Sequence, residues 1–161
     1  RLRDGEPPRV LHGHLLVVVG GPVAAEAEEK LSYEERMSER WKKDLEPLGT
    51  DMHKPFLETA PWLIIVFKKA YDLDEAGNKQ NNYYVNESVG IACGFLITAI
   101  HNAGLVTLTH TPSPMNFLAK ILERPANERA YMLFPVGYPA DEVYVPDIYR
   151  KPLSAVSQFY E

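Results

Sequence analysis

Glu29 and Tyr33 stand four residues apart, so a helix there presents a carboxylate and a phenol on one face. Residues 107–112 read Thr-Leu-Thr-His-Thr-Pro, three hydroxyls and an imidazole at the end of an apolar run. Strand ends facing a crevice are where α/β proteins hold ligands. Arg150-Lys151, near the carboxyl end, offers a guanidinium fork suited to phosphate. Each feature also has an ordinary reading. A charged helix presents Glu/Tyr pairs by chance, a Thr-rich segment is a common strand-to-helix turn, and a terminal charge pair is usually solvated. Sequence alone leaves both readings of each standing.

Other chemistries find less support. Gly20-Gly21 lacks the spacing of a dinucleotide fingerprint and reads as a tight turn. The five histidines, at 12, 14, 53, 101 and 110, show no metal-ligand spacing, and His12 and His14 read as a surface loop, so no metal is expected. The single cysteine, Cys93, excludes an internal disulfide and lies on an apolar helix face, as a buried structural thiol would.

The elements that must position these residues follow from the apolar pattern. With 161 residues, 45% hydrophobic and 24% charged, the chain is one domain or most of one, and not disordered. A net charge of −5 argues against a nucleic-acid partner, and no apolar run reaches the roughly 18 residues of a membrane span. Residues 15–19 and 62–67 are apolar runs without alternation, which predicts strands buried on both faces, and residues 105–109 and 131–136 predict two further strands. Residues 23–43 predict a long helix with a sparse apolar stripe, on which Trp41, Leu45 and, beyond its end, Leu48 share one face. A segment so lightly packed should move more than the core. Residues 86–102 predict an apolar helix whose Gly90 and Gly94 admit a close neighbour, and Ser113-Pro114 predicts a cap and first-turn proline for a helix to about 122. The stretch 72–82 is polar, with Gly77-Asn78 as a turn, and residues 140–161 read as an extended tail. Strands alternating with helices predict an α/β or α+β sandwich with a central sheet.

Several stretches together resemble the nitroreductase superfamily of flavin enzymes, and within it the iodotyrosine deiodinase branch. They are Glu29-x-x-x-Tyr33 running into Arg36-Met37 and Arg40-Trp41-x-x-Asp44-Leu45, then Lys54 and Thr59-Ala60-Pro61. Further on come Glu87-Ser88-Val89-x-Ile91-Ala92-Cys93-Gly94, Asn102-Ala103-Gly104-Leu105, Thr109-x-Thr111-Pro112, Pro135-Val136-Gly137-Tyr138-Pro139 and Val145-Pro146-Asp147. The similarity spans about residues 16–150.

The resemblance implies an α+β fold: a three-layer sandwich with a central, mainly antiparallel sheet, lacking the family's N-terminal helices. It implies a homodimer with FMN bound between subunits. Residues 15–139 would form the FMN-binding domain, with a lid at about 23–59, and residues 140–161 a tail wrapping the partner. Thr109, His110 and Thr111 match the flavin-contacting segment, and Thr111 the catalytic hydroxyl that hydrogen-bonds flavin N5. Arg150 matches a tail arginine that reaches FMN. Glu29, Tyr33 and Lys54 match three side chains that close over a halotyrosine, whose ammonium and carboxylate suit a carboxylate and two donors. The implied activity is reductive dehalogenation of halotyrosines, with general nitroreduction of nitroaromatics or quinones as the alternative. Residues 1–14 match nothing in the family's Pro-Ser-Gly loop, which raises a further alternative of an inactive, truncated fragment that binds no flavin. A cytoplasmic location is expected, with an upstream membrane anchor left open.

Overall fold

The computed structural model describes residues 14–20 by their backbone and residues 30–160 in full. In chain order the elements are β1 (His14–Gly20), a π-helical turn at Ser32–Arg36, α1 (Glu39–Leu45), a 3-10 turn at Glu46–Leu48 and α2 (Phe56–Thr59). They continue with β2 (Trp62–Lys69), β3 (Tyr71–Leu73), β4 (Lys79–Asn81), α3 (Val85–Asn102), β5 (Val106–Thr107), α4 (Asn116–Ile121) and β6 (Glu128–Gly137). A last 3-10 turn, Leu153–Ala155, lies in an otherwise irregular tail.

Four strands form one sheet in the order β1-β2-β6-β5, every neighbouring pair antiparallel. Ile65 of β2 pairs with Val17 on one side and Leu133 on the other, which places β2 in the centre. Successive side chains of β2 enter opposite faces, and both faces are covered. Leu63, Ile65, Phe67 and Leu133 pack with Leu57 of α2 and Leu118 of α4. Val66, Phe134 and Val136 pack with Val89, Cys93 and Ile100 of α3. Helices on both faces of an antiparallel sheet make the α+β sandwich of three layers. This double burial is why the strands read as continuous apolar runs. Each fully buried Leu or Phe contributes about 1.5–3 kcal/mol.

Gly137 ends β6 against the ring of Pro61: a Cβ there would lie 3.0 Å from Pro61 Cδ. Any side chain there would require the Pro61 ring to give by a few tenths of an ångström.

Four sequence expectations change. The helix expected over 23–43 is, within the described residues, two pieces broken at Met37 and Ser38, both in extended conformation. Ser38 turns its hydroxyl to accept from the Trp41 N–H at 3.2 Å, starting a new helix instead of continuing the old one. The strand expected over 105–109 keeps two residues, and rejoins β6 through a single bridge between His110 and Leu133. Ser113-Pro114 does not start a helix: α4 begins at Asn116 with Met115 as its cap. Proline disfavours helical backbone in the residue before it, and the Ser113 carbonyl is engaged elsewhere. The polar stretch 72–82 holds a hairpin, β3 paired with β4, tied by Asp74. Its carboxylate accepts from the N–H groups of Ala76 and Asn78 and from both side-chain amides of Asn78 and Gln80.

Candidate functional site

The arm of residues 30–50 leans over the end of the sheet and encloses a cavity of about 290 Å³. Two segments build it. Ser32, Tyr33, Met37, Trp41, Leu45, Leu48, Thr50 and Lys54 come from the arm and the loop after it. Thr109, His110, Thr111, Pro112 and Ser113 come from the strand end.

The strand-end segment is held by the sheet. His110 and Leu133 exchange both backbone hydrogen bonds at 2.9 Å, so the Thr-rich run is pinned to the middle of β6. Extended backbone then alternates: His110 and Pro112 turn inward and are buried, while Thr109 and Thr111 turn outward. The His110 ring meets Phe56 edge-on, with centroids 5.5 Å apart. Neither the Thr109 nor the Thr111 hydroxyl has a hydrogen-bond partner among the described residues. Both stay available to a ligand.

The arm contributes a polar end and an apolar wall. Lys54 is only 9% exposed, a rare state for an ammonium. It donates to the Tyr33 hydroxyl at 3.2 Å and to the Thr50 hydroxyl, and lies 5.1 Å from the centre of the Tyr33 ring. No carboxylate among the described residues pairs with it. An ammonium has three protons, and two hydroxyls leave it one for an anion in the cavity. A buried charge resting on neutral oxygens and a ring face gains strongly from an anionic partner. Trp41, Leu45 and Leu48 share the face expected of them, yet they line the cavity and not the core: Trp41 remains 48% exposed.

Of the residues singled out from sequence, five meet here: Tyr33, Lys54, Thr109, His110 and Thr111. Glu29 lies outside the described residues. Arg150 sits in the exposed tail and does not line the cavity. Thr50 and Met37 were not anticipated as cavity residues. Nothing in the spacing of Thr50 marks it, since no helix joins it to Lys54. Cys93 is buried against Phe134 and Val136, and burial pushes its thiol up, away from nucleophilic character. A second cavity, about 400 Å³, lies where β5 and Pro61 meet the root of the tail at Tyr138. Its polar side chains, beyond the exposed Tyr138, are Thr59 and Thr107, and no titratable group other than that phenol lines it.

The chain is similar to several known proteins. The chain is 65% identical over 137 residues to an iodotyrosine deiodinase of Haliscomenobacter hydrossis, covering 85% of this chain and 62% of that protein. It is 47% identical over 134 residues to an iodotyrosine deiodinase of Danio rerio, covering 81% of this chain and 45% of the relative. The chain thus spans between about half and two thirds of the length of these relatives. Among solved structures, an oxidised iodotyrosine deiodinase bound to FMN and 3-iodo-L-tyrosine superposes with a TM-score of 0.70 at 27% identity, over 88% of this chain and 73% of that one. An FMN-containing oxidoreductase superposes with a TM-score of 0.58 at 15% identity, over 91% of this chain and 70% of that one, and shows the shared fold. Residues 13–138 match the model of the nitroreductase family, from the residue before the first strand to the root of the tail. The chain belongs to the nitroreductase family.

Proposed function

We propose that this chain carries the substrate-closing part of an FMN-dependent enzyme that reductively dehalogenates halotyrosines. The observation that carries the reading is the buried Lys54 ammonium, held by the Tyr33 and Thr50 hydroxyls at one end of a cavity whose floor is Thr109–Thr111. A zwitterionic amino acid with an aromatic ring suits such a space. Its carboxylate meets the Lys54 and Tyr33 donors, Glu29 accepts from its ammonium, and its ring lies against the apolar wall of Met37, Trp41 and Leu45. A substrate lacking either charge forgoes that clamp.

The residues present fit a flavin at the cavity floor. Thr109 and Thr111 turn unengaged hydroxyls outward from a segment the sheet holds rigid, the arrangement a ring edge rich in acceptors and donors requires. Thr111 would donate to flavin N5. A cavity of about 290 Å³ accommodates one ring system and not the whole cofactor with substrate, so the rest of FMN would lie on surfaces beyond it. When bound, FMN supplies two electrons which, with one proton, replace the carbon–halogen bond by carbon–hydrogen and release halide. The chain's own part is to bind, orient and exclude water, which the arm does by closing over the ring.

The same reading makes the active form a homodimer. Ile91 and Phe95 on α3, and Tyr144, Val145, Tyr149 and Phe159 in the tail, are large apolar residues left at 63–93% exposure. A second copy would cover them and bring a tail arginine, Arg150, to a shared flavin.

The test combines colour and iodide. Purified protein supplied with FMN should turn yellow and, with dithionite as reductant, release iodide from 3-iodotyrosine at a far lower KM than from 2-iodophenol. Equal KM values would favour general reduction of quinones and nitroaromatics. Protein that takes up no FMN at any concentration would be an inactive fragment and would overturn the proposal.

A further inference from the structure

The arm that bears Tyr33 is fastened to the strand end by a residue outside the polar set described above. Arg36 Nη1 donates to the backbone carbonyl of Ser113 at 3.2 Å, across 77 positions of sequence. Ser113 is two residues past Thr111, and Arg36 is three past Tyr33 within the same π-helical turn. The bond therefore joins the segment that presents the arm's phenol to the segment that presents the strand-end hydroxyls.

We propose that Arg36 is a positioning residue, a latch that holds the arm part-closed before substrate arrives, and so selects for ligands that engage the arm. The proposal rests on the reading of the cavity as a halotyrosine site. Three features of the arm make one such bond matter. The helix Glu39–Leu45 buries no residue, and of residues 30–50 only Ser32 is buried. An element with so few apolar contacts opens at little cost. The helical backbone is interrupted on either side of α1, extended at Met37 and Ser38 and left-handed at Gly49. A guanidinium donor to a carbonyl is charge-assisted, stronger than a neutral pair, although Arg36 is exposed and water competes. A ligand that must close an open arm loses affinity in proportion to the fraction open. Without the latch that fraction rises, and only ligands gripping Tyr33 and Lys54 feel it.

Two measurements test this with Arg36→Ala and Arg36→Lys. The first is hydrogen–deuterium exchange of the peptide covering residues 30–48 in FMN-supplied protein without substrate. Faster exchange in Arg36→Ala, partly restored in Arg36→Lys, is expected, and unchanged exchange overturns the latch whatever the substrate proves to be. The second is the KM against kcat split. Arg36→Ala should raise KM for 3-iodotyrosine about two- to tenfold, with kcat and the KM for a quinone unchanged. Equal rises for both substrates would make Arg36 merely structural and overturn the proposal. Wild-type protein inert towards 3-iodotyrosine but showing the exchange difference would fail the substrate reading and leave the latch intact.

Discussion

Strand β2 buries Leu63, Ile65, Val66 and Phe67 almost completely, whereas helix α1, nearly as long, buries none of its seven residues. Both regions line or support the same cavity. The sheet presents its residues on backbone locked by two antiparallel ladders and filled on both faces. The arm presents its residues on two helical fragments held by a serine cap, the Arg36 hydrogen bond to the Ser113 carbonyl and the Lys54 cluster. Rigid groups suit a cofactor ring, whose edge must find donors already in place. Loosely held groups suit a substrate that must enter and leave, because little apolar burial is lost on opening. On the proposed reading, the division of labour at the site follows from where apolar area is buried.

That contrast can be broken from the sheet side first. Leu133→Ala removes a fully buried side chain at the point where β6 holds His110, and should cost about 2–5 kcal/mol in chemical denaturation. The Thr-rich floor should loosen with it, so FMN retention should fall as well. A loss below about 1 kcal/mol would mean that the sheet is not the rigid half.

Next comes the arm's charge. Lys54→Met keeps the length and apolar stem but removes a charged donor, and should weaken 3-iodotyrosine binding by about tenfold to a hundredfold. Global stability should hardly change, and equilibrium dialysis against a denaturation curve separates the two. A large fall in stability with unchanged binding would make Lys54 a core strut and not a ligand group.

A smaller effect belongs to Ser38→Ala. Losing the cap on α1 should cost the arm about 1 kcal/mol of local order, seen as faster amide exchange over residues 39–48 with little shift in overall melting. The smallest lies away from the site, in the β3–β4 hairpin. The Asn78 N–H is the chief cause holding the Asp74 carboxyl below the usual carboxylate range, with side-chain amides adding to it. A lowered folded pKa means the contribution is present above about pH 4 and fades as pH falls below it. Hairpin amide exchange, followed by NMR, should speed up under acid in the native chain, and Asp74→Asn should flatten that dependence.

The sheet was legible in the residues because double burial leaves a simple trace: β-branched runs of five or six with no alternation, as in residues 15–19 and 62–67. The long α3 was equally plain, since Val89, Cys93 and Ile100 repeat on its buried face. The arm resisted for the opposite reason. Its stripe of Trp41, Leu45 and Leu48 fits one continuous helix, and only the local competition of the Ser38 hydroxyl breaks it. The hairpin was hidden because Lys79, Gln80 and Asn81 carry no apolar alternation, and the turn is held by one carboxylate. The Thr109–Thr111 floor showed as a hydroxyl cluster at a strand end. Its pinning through His110 and Leu133 is a contact between distant residues, which spacing cannot show. Lys54 drew notice only through family resemblance, and Thr50 not at all, because the cluster they form spans a loop with no period.

The chain contains no helix, among its described residues, long and apolar enough to cross a membrane. Among the described residues, the arm lines the cavity on the side opposite the strand segment Thr109–Ser113. On the proposed reading, closing it would remove Trp41, Leu45 and Leu48 from solvent and strengthen every polar contact inside.

The most direct test of the central claim is amide exchange over residues 30–54 of FMN-supplied protein, with saturating 3-iodotyrosine and separately with 2-iodophenol, which shares the halogenated ring but lacks both charges. The account predicts strong protection of the arm by the amino acid and little by the phenol, with the strand segment 105–113 unchanged by either. Equal protection by both ligands, or protection confined to 105–113, would contradict it.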